Sequence, residues 1–210
     1  MTVINQIAYF QDRRDEVPNQ ELARRLVEMQ DQAGIQEIAA NLWHENPNVQ
    51  SDCIKVLYEV GYLEPRLIAP YAGDFLKLLR SRHNRLVWGA MLALSTIADL
   101  AAEAIDPQRA AIQRAMEQGS VITVDAGVAT LARLASTSAQ RRQEIFPYLL
   151  EHLRTCRPKD APQHAEKTAL AVDASNRDEF IRMLEARLPH MSASQAARIK
   201  RVIKQVGAIQ

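Results

Sequence analysis

The chain has 210 residues, of which 47% are hydrophobic and 24% are charged, and its formal net charge at pH 7 is +1. This composition excludes a disordered or fibrous protein, and the small net charge gives no general attraction to nucleic acid or to an anionic membrane. No stretch approaches the roughly 18 uninterrupted apolar residues of a membrane span, and the first ten residues lack the features of a signal peptide. We therefore expect a cytoplasmic protein that does not act at a membrane.

One pattern of large and small residues recurs at a nearly constant interval along the chain. Four leucines anchor the alignment at gaps of 37, 37 and 39 residues: Leu57, Leu94, Leu131 and Leu170. A small residue follows each anchor by four positions: Gly61, Ala98, Ala135 and Ala174. A small residue at such a position lets two helices approach closely, because the interaxial distance depends on the side chains at the contact. The period predicts an array of helix pairs.

Five helix pairs and a last single helix are predicted in chain order. The pairs lie near residues 18–45, 47–81, 84–119, 123–155 and 160–190, and the single helix spans 192–206. Pro70 and Pro147 each lie inside a second helix, which we expect to be bent or divided there. The single helix is a terminal cap of the array, whose outer face meets water.

Helix starts are marked by capping residues. Asp106 precedes a proline at the first helical position, and two segments have the spacing of a capping box. The two capping boxes are Asn176 with Glu179 and Ser192 with Gln195.

The period, the small residues and the prolines of the second helices resemble HEAT-like repeats of the armadillo type over about residues 18–206. The segments NRLVWGAMLALSTIA and RTCRPKDAPQHAEKT are similar to parts of uncharacterised bacterial HEAT repeat proteins. The resemblance implies an all-α fold, a right-handed α-α superhelix (α-solenoid) of about five helix pairs with a C-terminal capping helix. It also implies a single repeat domain, residues 1–210.

The candidate binding site is one edge of this array, where the links between pairs fall together. Six positions before the anchors, at the first turns of successive first helices, stand Ser51, Trp88, Asp125 and His164. We predict a recognition edge in which Trp88 is the anchor and basic side chains contact anionic groups. Its residues are Arg82, His83, Asn84, Arg85, Trp88, Asp125, Arg157, Lys159 and His164. The alternative is that the polar residues only start helices and that Trp88 is half-buried packing.

Neither the histidines nor the cysteines predict a metal or catalytic site. His83, His164 and Asp125 stand one repeat apart, so their side chains do not converge to the roughly 2.0–2.2 Å that zinc requires. Cys53 aligns with small residues and is predicted to lie in the core. Cys156 lies in a basic link without an identifiable base beside it, so we predict an ordinary cysteine. We predict no catalytic residue, no metal and no cofactor.

The sequence contains no phosphate-binding glycine loop, nucleophile elbow or two-histidine metal helix. It therefore predicts a non-enzymatic scaffold for an unidentified protein or peptide. The alternative is nucleic-acid binding, because the bacterial alkylpurine DNA glycosylases resemble this chain in length and helix count. Bilin lyases and related HEAT-like enzymes are a further possibility.

Charge and groove chemistry distinguish these alternatives. Residues 1–105 carry 10 basic and 14 acidic side chains, which supply a DNA-binding groove poorly. A single arginine patch would favour nucleic acid, whereas an exposed apolar groove would favour a peptide or a second copy of the chain. A homo-oligomer stays open, because either the last helix or a second copy can cover the terminal repeat.

Overall fold

The structure is a computed structural model that describes residues 2–209, and these contain α-helices and 3-10 turns but no strand. The chain divides into two compact units, one ending at Gly127 and the other beginning at Val128. Within the described residues, no helix is both long enough and apolar enough to cross a membrane.

The first unit consists of paired helices around a leucine-rich core. Its helices are α1 (Val17–Glu28), α2 (Gln32–Ala40), α3 (Pro47–Leu63), α4 (Ala72–Leu78), α5 (Asn84–Ile97), α6 (Ala102–Ile105), α7 (Arg109–Gln118) and the start of α8 (Val121–Ser136). The anchors Leu57 and Leu94 are fully buried. A Cβ atom at Gly61 would lie 2.4 Å from Thr96 Oγ1 on α5. The small residue therefore permits the close approach of α3 and α5, as its position predicts.

Prolines and an aspartate set the starts of the second helices in this unit. The segment after α3 is divided into the turns Pro65–Leu67 and Ala69–Tyr71 before α4 begins, which confirms the break expected at Pro70. The turn Asp106–Gln108 precedes α7. Asp106 Oδ1 accepts a hydrogen bond from Arg109 Nη1 at 2.7 Å, and the α-helix begins at Arg109 rather than at the predicted proline.

The N-terminal segment docks on the first helices, a role that the sequence did not reveal. Ile7 is fully buried. The Ala8 backbone N–H donates to Asn19 Oδ1 at 2.9 Å, and the Tyr9 N–H donates to Asp52 Oδ2 at 2.8 Å. The buried Ala8 donor needs such a partner, and together the Asn19 and Asp52 side chains fix the segment against α1 and α3.

The second unit is built from the rest of α8, α9 (Ala139–Thr155), α10 (Ala161–Thr168), α11 (Arg177–Arg187) and α12 (Ala193–Gly207). Phe180 of α11 is fully buried, and its ring centroid lies 6.2 Å from that of Phe146 on α9. Helices α8 to α11 correspond to the fourth and fifth predicted pairs, and α12 to the predicted terminal helix.

Two sequence predictions fail in the second unit and one is confirmed. Helix α9 runs undivided through Pro147, so the division expected there is absent, and the bend stays a prediction. Asn176 makes no capping bond; its Oδ1 accepts from the Asp173 N–H at 2.9 Å, so the loop takes up the group expected to cap α11. Leu170 is 55% exposed because α10 has already ended, and it is not a core anchor. The capping box that begins at Ser192 is present.

Candidate functional site

An exposed groove of about 780 Å³ opens between α9 and α11 in the second unit. We call it the α9–α11 groove. Helix α9 contributes Pro147, Leu150, Glu151 and Arg154, and the other wall consists of Glu179, Arg182, Met183, Ala186, Arg187 and His190. On both walls, each residue has another three or four positions away, which keeps each set on one helical face.

The groove exists because both helices carry a second apolar stripe. Ile145 and Leu149 of α9, with Leu184 of α11, face the core and are fully buried. Leu150 of α9 and Met183 of α11 lie outside that core and are half-buried. These two side chains leave apolar surface open to solvent beside the filled core.

The charges around the groove differ in their pairing. Arg154 forms an ion pair with Glu151 at 2.6 Å. Arg187 donates through Nη2 to the Cys156 carbonyl at 2.7 Å and through Nη1 to the Leu153 carbonyl. Arg182 is exposed and has no ion pair with any of residues 2–209. The groove therefore combines an apolar floor with one arginine that is open to a ligand carboxylate.

A second cleft, of about 570 Å³, lies in the first unit, and we call it the polar cleft. It is lined by Ala8, Tyr9, Asp12, Arg13, Arg14, Asp15, Glu16, Asn48, Ser51, Asp52, His83 and Arg85. Glu16 accepts from Lys55 Nζ at 2.8 Å and from Arg85 Nη2 at 3.0 Å. Lys55 also pairs with Glu59 at 2.6 Å. These charges satisfy one another within the protein.

The buried lysine shows the electrostatic effect of that pairing. The Lys55 side chain is only 6% exposed. Burial alone would lower the pKa of the Lys55 ammonium, but the carboxylates of Glu16 and Glu59 raise it above its usual value. Lys55 therefore stays charged and holds two carboxylates in place.

The first unit contains the predicted edge residues from Arg82 to Trp88, and also Asp125. Arg82, His83 and Asn84 are exposed before and at the start of α5, and His83 and Arg85 line the polar cleft. The Trp88 ring is half-buried; its centroid lies 6.0 Å from that of Tyr58 and 5.9 Å from the Arg85 guanidinium carbon. Trp88 thus takes part in packing within this unit.

The second unit contains the other predicted edge residues. Arg157 and Lys159 are exposed in the link before α10, and Arg157 pairs with Asp160 at 2.6 Å. His164 is buried in α10 with 2% exposure. An edge that combines the two sets stays a prediction.

The two cysteines have different surroundings. Cys53 is fully buried, as predicted, and burial raises the pKa of its thiol. Cys156 is half-buried, and two imidazoles lie close to it. The expectation that no base lies beside Cys156 is wrong, because α9 carries His152 four residues before it and α10 brings His164 to the same place.

Solved structures resemble the whole chain in fold. An engineered protein from the Northeast Structural Genomics Consortium matches with a TM-score of 0.70 and 17% identity. The match covers 99% of this chain and 98% of the engineered protein. A designed armadillo repeat protein matches with a TM-score of 0.68 and 12% identity, and the match covers 89% of this chain and 86% of the designed protein. The fold is an armadillo-type helical repeat.

A further designed armadillo repeat protein, whose structure is a complex with the peptide (KR)4, matches with a TM-score of 0.69 and 12% identity. The match covers 89% of this chain and 86% of the designed protein. No protein-family model and no curated protein matches the sequence. The likeness therefore concerns the fold of the chain.

Proposed function

We propose that the protein is a non-enzymatic interaction scaffold that binds a peptide segment of a partner protein in the α9–α11 groove. The observation that carries this proposal is the apolar floor between α9 and α11 beside Arg182, which has no ion pair within residues 2–209. The designed armadillo repeat protein in complex with (KR)4 supports peptide binding as a use of this fold.

The groove favours a peptide with a bulky apolar side chain next to an acidic one. Leu150 and Met183 offer apolar contact surface on opposite walls, and a methionine adapts its shape to the side chain that it contacts. Arg182 offers a planar guanidinium that matches a carboxylate. An apolar anchor beside one charge contact is the pattern of residues that dominate interface energies.

The pairing of the basic side chains favours a protein ligand over nucleic acid. Arg85 pairs with Glu16, Arg154 with Glu151 and Arg157 with Asp160. A DNA-binding surface gains affinity when its cations replace the counterions of phosphates, and cations already paired with carboxylates contribute less to that exchange.

The direct test selects ligands from a displayed library of random peptides, with the full chain as bait. Fluorescence anisotropy then measures the affinity of the selected peptides for the wild type and for two variants in which an alanine is replaced by glutamate. Ala186→Glu places a carboxylate in the groove, and Ala197→Glu makes the same change at an exposed position of α12 outside it. We expect peptides that combine apolar and acidic residues, with affinity reduced at least about tenfold by Ala186→Glu and unchanged by Ala197→Glu. Selected peptides that bind both variants equally would contradict the proposal.

The nucleic-acid alternative has its own measurement. Anisotropy with short single-stranded and duplex DNA at low and moderate salt should show no binding. Micromolar binding that weakens with salt and disappears in the Arg82→Glu/Arg85→Glu/Arg157→Glu variant would replace the peptide proposal with nucleic-acid binding.

A further inference from the structure

Three side chains with metal-binding atoms converge where α9 ends and α10 begins. They are His152, Cys156 and His164, which we call the His–Cys cluster. His152 and Cys156 are four residues apart near the end of α9, so both project from one face. His164 lies in the first turn of α10. The ligand atoms of the three side chains all lie within 4.8 Å of one another, and all three residues belong to the second unit.

We propose that the His–Cys cluster is a binding site for a divalent transition metal of the zinc type. Zinc accepts imidazole nitrogen at about 2.0–2.1 Å and thiolate sulfur at about 2.3 Å, usually in a tetrahedron. A tetrahedron with those bond lengths separates two nitrogens by about 3.3 Å and a nitrogen from the sulfur by about 3.6 Å. His152 Nε2 and His164 Nδ1 are already 3.0 Å apart. The widest pair needs to close by roughly 1 Å, which side-chain rotation supplies.

The contact between the two imidazoles is itself informative. At 3.0 Å, one ring nitrogen donates a proton and the other accepts it. A metal ion between them replaces that shared proton, and each nitrogen then directs a lone pair at the ion. The thiol also loses its proton on coordination, so binding releases protons to solvent.

The burial of the cluster gives the site one closed side and one open side. His164 is 2% exposed, which fixes the ring against the core, whereas His152 and Cys156 are half-buried. Three protein ligands leave the fourth position of a tetrahedral ion for water or another external ligand. The site is therefore accessible to a metal from solvent.

Arg187 fixes the cysteine end of the cluster. Its guanidinium donates to the Cys156 carbonyl at 2.7 Å and lies 3.6 Å from Cys156 Sγ. Burial raises the pKa of the Cys156 thiol, and the positive charge of Arg187 acts in the opposite direction by favouring the thiolate. Arg187 also lines the α9–α11 groove, although the metal proposal does not depend on the proposed peptide binding.

Cobalt(II) titration of the untagged, reduced full-length chain tests the proposal, because a thiolate bound to cobalt gives a charge-transfer band and a tetrahedral site gives intense visible bands. We expect one cobalt per chain, displaced by zinc, and a zinc dissociation constant on the order of micromolar or tighter. Cys156→Ser should abolish the charge-transfer band. His152→Ala should weaken zinc binding by more than about 100-fold, since even losing an outer-shell partner costs about 10–100-fold.

Matched variants separate this cluster from the other histidines and from the other thiol. Cys53→Ala and His83→Ala, both in the first unit, should leave the band and the stoichiometry unchanged. The proposal is overturned if the wild type shows no thiolate band with excess cobalt, or if the band persists in Cys156→Ser. It is also overturned if zinc binds His152→Ala as tightly as the wild type, a readout that does not depend on the serine variant folding.

Discussion

Both units of the chain have a cleft with charged walls, but the charged side chains of the two clefts differ in how they are paired. In the first unit, Glu16 accepts from both Lys55 and Arg85, so the Glu16 and Arg85 side chains that line the polar cleft are paired within the protein. In the second unit, the α9–α11 groove has an apolar floor and leaves Arg182 without an ion pair among the described residues. The first arrangement stabilises the fold, and the second leaves exposed groups at the groove where we propose that a peptide binds.

This difference teaches that charge alone does not identify a binding surface in a repeat protein. Arg85 looks like a binding residue in the sequence, yet its guanidinium donates to the carboxylate of Glu16, which lies just before α1. The sequence pattern does not single out Met183, yet it lines the groove. Whether a charged side chain is already paired, and which face of its helix a residue occupies, decide whether that residue is available to a ligand.

The largest expected effect comes from replacing the buried lysine of the first unit. Lys55→Met removes a cation that is 6% exposed and leaves Glu16 and Glu59 without their shared partner. We expect a loss of about 3 kcal/mol in the free energy of unfolding, because the two charge-assisted hydrogen bonds of the buried ammonium are lost. Tryptophan fluorescence during urea unfolding measures it, since both tryptophans, Trp43 and Trp88, lie in the first unit.

Two similar substitutions sharpen this result. Arg182→Met in the second unit and Lys77→Met in the first both replace an exposed cation. Each should change the stability by less than about 0.5 kcal/mol, measured for both by circular dichroism in urea. An Arg182→Met variant as unstable as Lys55→Met would show that the arginine of the groove is structural, and the contrast between the units would fail.

The next effect concerns two asparagines that hold a loop or segment, one in each unit. Asn19 is fully buried; it accepts from the Ala8 N–H and donates to Asp52 Oδ1 at 2.9 Å. Asn176 is half-buried and donates to the Ala171 carbonyl at 3.0 Å. We expect Asn19→Ala to cost about 2 kcal/mol and Asn176→Ala about 1 kcal/mol, because burial increases the cost of an unpaired group.

Hydrogen exchange measured by mass spectrometry checks both asparagine variants locally. Asn19→Ala should speed exchange in residues 3–11, whereas Asn176→Ala should affect only the loop around residues 171–176. Equal losses of stability in the two variants would mean that the N-terminal segment is not held by Asn19, and that it contributes less to the first unit than its contacts indicate.

The sequence predicts the fold well because the repeat acts through large, regularly spaced residues. Leu57, Leu94 and Leu131 are all fully buried, and Gly61 sits at a close helix contact. The register fails at Leu170, where α10 ends early and the leucine becomes exposed. A period detects a repeat only while its helix continues, so the last copy is the least predictable.

The candidate sites are harder to predict from sequence, since they depend on pairs of helices. The spacing of His152 and Cys156 is visible in the sequence, but His164 joins them only through the turn between α9 and α10. The α9–α11 groove similarly needs the second apolar stripe of each helix, at Leu150 and Met183, to face the same space. Local sequence patterns therefore indicate the residues on each helix, but not that the two helices bring these residues together.

A further small effect is expected where α12 attaches to the second unit. Arg198 Nη2 pairs with Glu166 Oε2 at 2.6 Å, and both side chains are well exposed. Hydrogen bonding from Arg198 lowers the pKa of the Glu166 carboxyl, so its stabilising effect is present above the pKa of the unfolded chain and is lost as the pH falls through the folded value. We expect Glu166→Gln to cost about 0.5 kcal/mol at neutral pH, as for other exposed pairs.

The pH and salt dependence of that cost distinguishes an ion pair from packing. The difference between wild type and Glu166→Gln should shrink in acid as the pH falls through the lowered pKa of Glu166, where the wild-type carboxyl also becomes neutral, and in high salt, which screens exposed charges. Hydrogen exchange in α12 measures it directly. A difference in stability between wild type and Glu166→Gln that persists at low pH would contradict the ion-pair explanation. Helix α12 would then be held only by the packing of its buried residues Ile199, Val202 and Val206.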